Sequence, residues 1–150
     1  MLYFAYGALL DPERLEPVAP TAEFRFIAHL PETKLTFPNP DGVPSVEPAP
    51  GNTVWGAVFA VDGEEGKAIA RAEAKEGRLP RTDFRAVDRA GRKYEVVTFT
   101  SRTETAPSPN DTGHVPDPVY MRQVVKGARH WNLPTGWVAG LEDLGEDALI

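Results

Sequence analysis

Two uninterrupted apolar runs constrain the fold of this chain more than any other feature. Leu2–Tyr6 and Thr53–Val61 contain no charged side chain; the first is rich in aromatic residues and the second in β-branched and aromatic residues. A strand with one face in water alternates apolar and polar residues, whereas an unbroken apolar run indicates burial on both faces. We therefore predict that both runs are central strands of a sheet.

The other strand predictions rest on shorter β-rich runs between turn residues. They are Phe24–Leu30, Lys34–Phe37, and a hairpin of Asp83–Asp88 with Tyr94–Thr100 around Ala90–Gly91. Proline-rich loops are predicted over Pro38–Pro50 and Thr103–Asp117. The chain has 15 prolines and 13 glycines, which suits strands joined by many turns.

Capping residues mark the predicted helices. Asp11 precedes a short helix with Pro12 at its first position, and Leu15 and Val18 are expected to face inward. A second helix begins after Asp62 and runs to about Lys75. Gly77 is the residue expected just past its end.

The C-terminal part of the chain predicts two more helices. Pro118–Trp131 has an amphipathic pattern, and a short helix follows Pro134. The residues of Pro118–Trp131 expected to face inward are Val119, Val124, Val125 and Ala128. Strands outnumber helices and do not alternate strictly with them, so we predict one α+β domain over residues 1–150. Its sheet should be small and strongly bent, or a partial β-barrel, with flanking helices.

Composition excludes several classes of protein. The chain has no cysteine, which rules out disulfides and thiolate metal sites, and a net charge of -6, which argues against nucleic acid as a partner. No histidine pair among His29, His114 and His130 has metal-ligand spacing, so we expect no metal and no cofactor. The N-terminus lacks a basic leader, and no run is long enough to span a membrane, so the cytoplasm is the expected compartment.

Blocks spread over nearly the whole chain resemble the γ-glutamylcyclotransferase-like (AIG2-like) family, in the family's order. The blocks are Tyr3–Gly7, Val46–Gly56, Glu73–Gly77, Ala106–Pro109, Gly127–Arg129 and Asn132–Pro134. In the same order, the first block is similar to the family's Y-F-A-Y-G strand, and the second to its proline-glycine turn and the V-W-G strand that follows. The third is similar to the helix end that carries the family's glutamate-glycine pair. The last three are similar to its P-S-P segment and to the G-A and L-P pairs near the C-terminus. The resemblance implies the family's fold and a small-molecule γ-glutamyl substrate.

This resemblance also implies a reaction. The α-amine of a γ-glutamyl group attacks its own γ-carbonyl, which closes 5-oxoproline and releases an amine or amino acid. The protein must supply a carboxylate that takes a proton from the α-ammonium and delivers it to the leaving amine. We assign this role to Glu76, which ends a helix just before Gly77. There the helix dipole and Glu73, one turn back, both disfavour an ionised carboxylate, while Lys75 partly opposes them.

The turn after the first strand is the candidate substrate site. A glycine turn that leaves a buried strand and enters a capped helix can present backbone N–H groups to a carboxylate. Where the family has serine and asparagine, this chain has Ala8 and Leu9, and Phe84 replaces a tyrosine often found downstream of the glutamate. The predicted substrate-binding residues are Tyr6, Gly7, Ala8, Leu9, Leu10 and Phe84.

Other interpretations of the same residues remain open. The chain could be a non-catalytic, small-molecule-binding member of the fold that retains Glu76. It could also catalyse another amide or lactam conversion, such as removal of a γ-glutamyl group in a specialised pathway. Without the resemblance, Glu76 would be an ordinary solvated glutamate, and Gly7–Leu10 an ordinary strand-to-helix turn. Either a monomer or a homodimer is compatible with the sequence.

Overall fold

Strands and helices occupy most of residues 1–101 and 114–147, which the computed structural model describes. The strands are β1 (Leu2–Ala5), β2 (Glu23–Thr36), β3 (Ser45–Ala60), β4 (Arg78–Arg81), β5 (Arg85–Asp88), β6 (Lys93–Glu95) and β7 (Thr98–Ser101). The helices are α1 (Pro12–Leu15), α2 (Gly63–Lys75), α3 (Pro118–His130) and α4 (Thr135–Asp147), and a 3₁₀ turn covers Ala8–Leu10. Residues 103–113 of the predicted loop Thr103–Asp117 lie outside the described residues, and so does the Ala106–Pro109 block.

The two apolar runs pair with each other inside a bent antiparallel sheet. Five strands follow the order β1-β3-β2-β5-β6, and Tyr3 of β1 lies opposite Phe59 of β3. Tyr3 and Phe59 pack into one hydrophobic cluster, whereas Phe4 and Val58 pack into a second cluster on the other face. Burial on both faces explains why neither run alternates, and the predicted α+β class is confirmed.

The sheet begins to close on itself at β1. The prediction that Leu2–Tyr6 is a central strand is wrong, because β1 is the terminal strand in the order above, although its outer edge is not free. The Phe4 N–H donates to the Val97 carbonyl, and the Val97 N–H donates to the Leu2 carbonyl, each at 2.9 Å. Val97 comes two residues after β6, the strand at the opposite end of the sheet, so this contact bends the sheet toward the predicted partial barrel.

The β2–β3 pair is longer than the sequence indicated. The predicted strands Phe24–Leu30 and Lys34–Phe37 are one strand, with a register shift between Pro31 and Thr33. The predicted loop Pro38–Pro50 is wrong in its second half, because β3 already begins at Ser45. Prolines are tolerated there since β1 pairs only with residues 57–60, which leaves the first part of β3 at an edge of the sheet.

The predicted hairpin is correct at its turn and wrong at its end. β5 and β6 pair around Gly91, which has a φ of +85°, and the Asp88 carboxylate accepts from the N–H groups of Ala90 and Arg92. β7, however, leaves this hairpin and pairs with β4 in a separate two-stranded sheet. The sequence did not predict β4, which carries two arginines and a proline within four residues.

The helices begin and end close to the predicted residues. The Asp62 carboxylate caps α2 by accepting from the Glu65 N–H at 2.7 Å. Gly77 has a φ of +78°, the left-handed conformation that favours glycine at a helix end. On α3 the prediction that Val119 faces inward is wrong: its side chain is exposed, because it lies in the first turn, before the helix reaches the core. No helix among the described residues is long and apolar enough to cross a membrane.

Candidate active site

The end of α2 brings three charged residues together. Glu76 follows the last helical residue, and the left-handed Gly77 reverses the chain into β4. β4 begins at Arg78, so the reversal returns the Arg78 side chain to Glu73 and Glu76. A short sequence, Glu73 to Arg78, thereby builds a compact cluster of two carboxylates and one guanidinium.

Arg78 is the centre of this cluster, and its side chain is only 4% exposed. Its Nε donates to Glu73 Oε2 at 2.6 Å, and its Nη1 donates to the Pro44 carbonyl at 2.6 Å. Its Nη2 donates to Glu76 Oε2 and, at 3.0 Å, to the Tyr120 hydroxyl. Burial opposes the charged form, but the pKa of Arg78 still lies above its ordinary value because of Glu73 and its other neighbours. The guanidinium therefore stays charged.

Glu73 is the buried carboxylate of the cluster. It accepts from the Tyr3 hydroxyl at 3.0 Å as well as from Arg78. Burial raises the pKa of Glu73, and the Arg78 guanidinium opposes that rise. Glu76 differs, because its side chain is 27% exposed. Glu73 is thus enclosed by protein groups, whereas Glu76 can meet a ligand.

Tyr120 connects this cluster to the turn after β1. Its hydroxyl accepts from the Ala8 N–H at 3.0 Å and from Arg78, and it donates to Glu76 Oε2 at 3.2 Å. One donor and two acceptor positions are all that a phenol offers, so this hydroxyl is fully used. Burial raises the pKa of Tyr120 to about 12, so the group remains protonated near neutral pH. The same hydroxyl explains Gly7, where a Cβ would lie 2.8 Å from it.

Removing the Tyr120 hydroxyl is expected to destabilise the fold. Tyr120→Phe leaves the Ala8 N–H without its acceptor and removes one bond from buried Arg78, so the free energy of unfolding should fall by about 1–3 kcal/mol. Urea denaturation measures the change. Tyr94→Phe is the matched control, because the Tyr94 hydroxyl meets only the Asp88 carboxylate and its loss should cost less than about 0.5 kcal/mol. Equal losses in the two variants would contradict the role given to Tyr120.

A cavity of about 190 Å³ opens beside Glu76. Its lining residues are Ala8, Leu9, Arg14, Val18, Ala72, Glu73, Lys75, Glu76 and Tyr120. One oxygen of Glu76 accepts from both Arg78 and Tyr120, and the other has no donor among the described residues. Within the same part of the chain, the N–H groups of Gly7 and Leu9 have no acceptor. Leu9 and Glu76 both line this cavity, whereas Gly7 directly precedes the lining residues and is not itself part of the wall.

The structure brings together part of the predicted site. Ala8 and Leu9 share the cavity wall with Glu76, as the sequence indicated. Leu10 does not line this cavity; it is fully buried, and its carbonyl accepts from Trp131 Nε1 at 2.7 Å. It turns inward because the 3₁₀ turn must bury an apolar residue against α3.

Tyr6 and Phe84 also lie away from the cavity wall. Tyr6 is buried; its hydroxyl donates to the Phe99 carbonyl, and its ring lies 5.9 Å from the Arg78 guanidinium carbon. Phe84 packs into the second hydrophobic cluster, with Arg81 over its ring at 5.3 Å. Tyr6 thus supports the site only through Arg78, and the phenyl ring of Phe84 is held on the other face of the sheet.

Sequence reasoning missed Arg78 and Tyr120. The signal for Tyr120 is its position on α3, where Tyr120, Val124 and Ala128 form one buried stripe with a single hydroxyl. The signal for Arg78 is weaker, since an arginine next to a helix-ending glycine is usually exposed. Neither residue could be joined to Glu76 without the tertiary fold.

A larger groove elsewhere in the structure is a weaker candidate for the active site. It has a volume of about 470 Å³ and lies between α3 and α4, with Met121, Val125 and Leu141 at its apolar side. Its charged side chains are on surface positions of the two helices. No buried carboxylate contacts it, so we take the smaller cavity as the candidate active site. Within the described residues, no group of three or more histidine and carboxylate side chains is arranged to hold a metal ion.

Comparison with known proteins identifies the family of this chain. The family model for gamma-glutamyl cyclotransferase, AIG2-like, matches residues 3–122. This chain belongs to that family. The matched segment contains β1, the turn after it, the end of α2 and Tyr120, which are the parts that build the cavity. The predicted family membership is therefore confirmed.

Relatives of the family carry the same name at low identity. Gamma-glutamylcyclotransferase of Bos taurus is 28% identical over 148 residues, covering 89% of this chain and 72% of the relative. The Homo sapiens protein of that name is 27% identical over 144 residues, with the same coverage.

Solved structures confirm the fold. One named gamma-glutamyl cyclotransferase superposes with a TM-score of 0.77 at 23% identity, covering 99% of this chain and 98% of that one. YkqA from Bacillus subtilis also gives a TM-score of 0.77, at 18% identity, covering 97% of this chain and 54% of that one.

Proposed function

We propose that this chain releases 5-oxoproline from a γ-glutamyl amine or γ-glutamyl amino acid, with Glu76 as general base and acid. The observation that carries the proposal is the state of Glu76. One of its oxygens is held by Arg78 and Tyr120, the other has no donor among the described residues, and Glu76 lines a cavity together with Ala8 and Leu9. A carboxylate that is fixed in place and partly exposed is suited to proton transfer, because a general base must first lie within reach of the proton that it takes.

The proposed reaction needs no covalent nucleophile from the protein. Glu76 takes a proton from the α-ammonium, and the freed amine attacks the γ-carbonyl carbon of the same glutamyl group. A new C–N bond closes the five-membered ring, and the original amide C–N bond breaks. Glu76 returns its proton to the leaving amine, which regenerates the carboxylate.

Backbone N–H groups are the proposed holders of the substrate carboxylate. The side chains of Ala8 and Leu9 offer no donor, but the N–H groups of Gly7 and Leu9 are unused within the described residues. The Ala8 N–H is already bonded to Tyr120. Because the Ala8 N–H is already bonded and those of Gly7 and Leu9 are not, we propose that Ala8 holds the turn in place. The N–H groups of its two neighbours would then bind the substrate carboxylate.

Two exposed cations favour a leaving group that carries a carboxylate. Arg14 and Lys75 line the cavity, and neither has an ion-pair partner among the described residues. The cavity wall holds two cations, Arg14 and Lys75, and two carboxylates, Glu73 and Glu76, although carboxylates outnumber cations in the chain as a whole. γ-Glutamyl amino acids carry a second carboxylate that these cations could neutralise, whereas γ-glutamyl amines do not.

The double variant R14Q/K75Q tests this preference. We expect KM for a γ-glutamyl dipeptide to rise roughly five- to tenfold, because exposed charge pairs contribute up to about 1 kcal/mol each. KM for a neutral γ-glutamyl amine should change much less. Lys67→Gln is the control, since Lys67 lies on the same helix and does not line the cavity. An equal rise for both substrates would contradict a contact with the leaving group.

A substrate screen tests the proposed function itself. Purified protein is incubated with a panel of γ-glutamyl amines and γ-glutamyl dipeptides, and 5-oxoproline is measured by mass spectrometry. We expect release from at least one class and none with E76Q. Binding of these compounds without any turnover would instead identify a non-catalytic member of the family.

A further inference from the structure

The three nitrogens of the Arg78 guanidinium contact different groups. Nε and Nη1 donate to the buried Glu73 carboxylate and to the Pro44 carbonyl. Nη2 donates to the Tyr120 hydroxyl and to the more exposed Glu76 carboxylate, and both of these residues line the cavity. The first two bonds hold the guanidinium plane, and the third nitrogen is thereby aimed at the site.

A guanidinium is the side chain that can do this. Its N–H groups form a rigid planar fork, so fixing two nitrogens also fixes the third. Nη2 and the Tyr120 hydroxyl both donate to the same oxygen, Glu76 Oε2. Two donors on one oxygen determine the orientation of the carboxylate and leave the other oxygen for a ligand.

We propose that Arg78 is a positioning residue for proton transfer by Glu76. It holds one oxygen of Glu76 and leaves the second oxygen for a ligand in the cavity. This inference rests on the proposed function, in which Glu76 takes a proton from the substrate. Arg78 acts through Glu76 and does not itself touch the substrate.

The other titratable groups around Arg78 do not replace it. Tyr3, Tyr6 and Tyr120 face it from β1 and α3, and burial raises the pKa of each tyrosine, so all three stay neutral. Glu73 faces it from α2 and carries negative charge. Arg14 and Lys75 line the same cavity from exposed positions, where water screens their charge. Arg78 is thus the cation that contacts Glu76 within the described residues.

The test must separate this role from a purely structural one. R78M alone leaves Glu73 buried without a counter-ion, which can prevent folding. The double variant E73Q/R78M removes both charges, and the glutamine still accepts from the Tyr3 hydroxyl. E73Q alone is the matched reference, because the two proteins then differ only at Arg78.

Relative to E73Q, we expect E73Q/R78M to lose about 10- to 100-fold in kcat with a smaller change in KM, as for a misplaced catalytic group. A conservative variant, R78K, keeps the charge but lacks the planar fork, so it should recover only part of the lost kcat. A folded double variant with the kcat of E73Q would overturn the proposal.

A readout without turnover distinguishes failure of this inference from failure of the proposed function. Crystal structures of E73Q and of E73Q/R78M give the position of the Glu76 carboxylate in each protein. The carboxylate should be displaced in E73Q/R78M relative to E73Q, whether or not any γ-glutamyl compound is a substrate. An unchanged position would refute the role of Arg78, whereas a displaced carboxylate in a protein without turnover would refute only the enzymatic proposal.

Discussion

Replacing Glu76 with glutamine is expected to reduce 5-oxoproline release by roughly two to four orders of magnitude, the usual contribution of a positioned acid–base group. The glutamine carbonyl can still accept from Arg78 and Tyr120, so the side chain should keep its place. It cannot take a proton, so the attack of the α-amine loses its base. Rate measurements on the best substrate from the screen give the ratio of kcat values.

Binding and folding should survive this change. We expect Kd for a bound γ-glutamyl compound to change only a few-fold in calorimetry, because the turn at Gly7 and Leu9 is untouched. E64Q is the matched control on the same helix, since Glu64 is exposed and lies outside the cavity. Unchanged turnover in E76Q would exclude Glu76 as the base, and a loss of folding would make it a structural residue.

The second large effect is expected at Gly127, far from the chemistry in sequence. A Cβ at Gly127 would lie 2.3 Å from the Leu10 carbonyl carbon and 2.5 Å from the Asp11 nitrogen. Both are backbone atoms, so α3 would have to move away from the turn after β1. We expect Gly127→Ala to lower the free energy of unfolding by about 2–3 kcal/mol, as overpacking does.

The same variant should also lose activity. Gly127 is seven residues after Tyr120, so both lie on one face of α3, and a displaced helix carries the Tyr120 hydroxyl away from Ala8 and Glu76. A displacement of about 1 Å at an active site can lower turnover by about 100-fold. Urea denaturation and rate measurements on the folded fraction give the two effects separately.

Gly140→Ala provides the control for this prediction. Gly140 lies inside α4, and a Cβ there meets no described atom within 4 Å. Because alanine favours a helix over glycine, this variant should be unchanged or more stable by about 0.5–1 kcal/mol. A Gly127→Ala protein as stable and active as Gly140→Ala would mean that α3 and the turn can separate without consequence.

Sequence and structure agree best where one local signal decides the conformation. The predicted buried strands at Leu2–Tyr6 and Thr53–Val61, the Asp62 cap and the Gly77 helix end are all present, although β1 is the terminal strand of its sheet and not a central one. Sequence and structure disagree where the conformation of a segment depends on which strand it pairs with. Ser45–Pro50 is a strand because β2 extends beside it, and β7 leaves its predicted hairpin because β4 offers another partner.

The candidate site shows the same contrast between local sequence patterns and tertiary contacts. The sequence and its family resemblance were enough to predict Glu76 and the turn after β1 as parts of one site, because a helix-ending Glu-Gly pair and a strand-ending glycine turn are local patterns. Only the tertiary structure decided what holds them together. Arg78 and Tyr120 reach Glu76 from β4 and α3, and their bonds depend on the packing of α3 against the turn at Gly127. Contacts between residues 44 positions apart, as between Glu76 and Tyr120, follow from how the elements pack, and no local pattern encodes them.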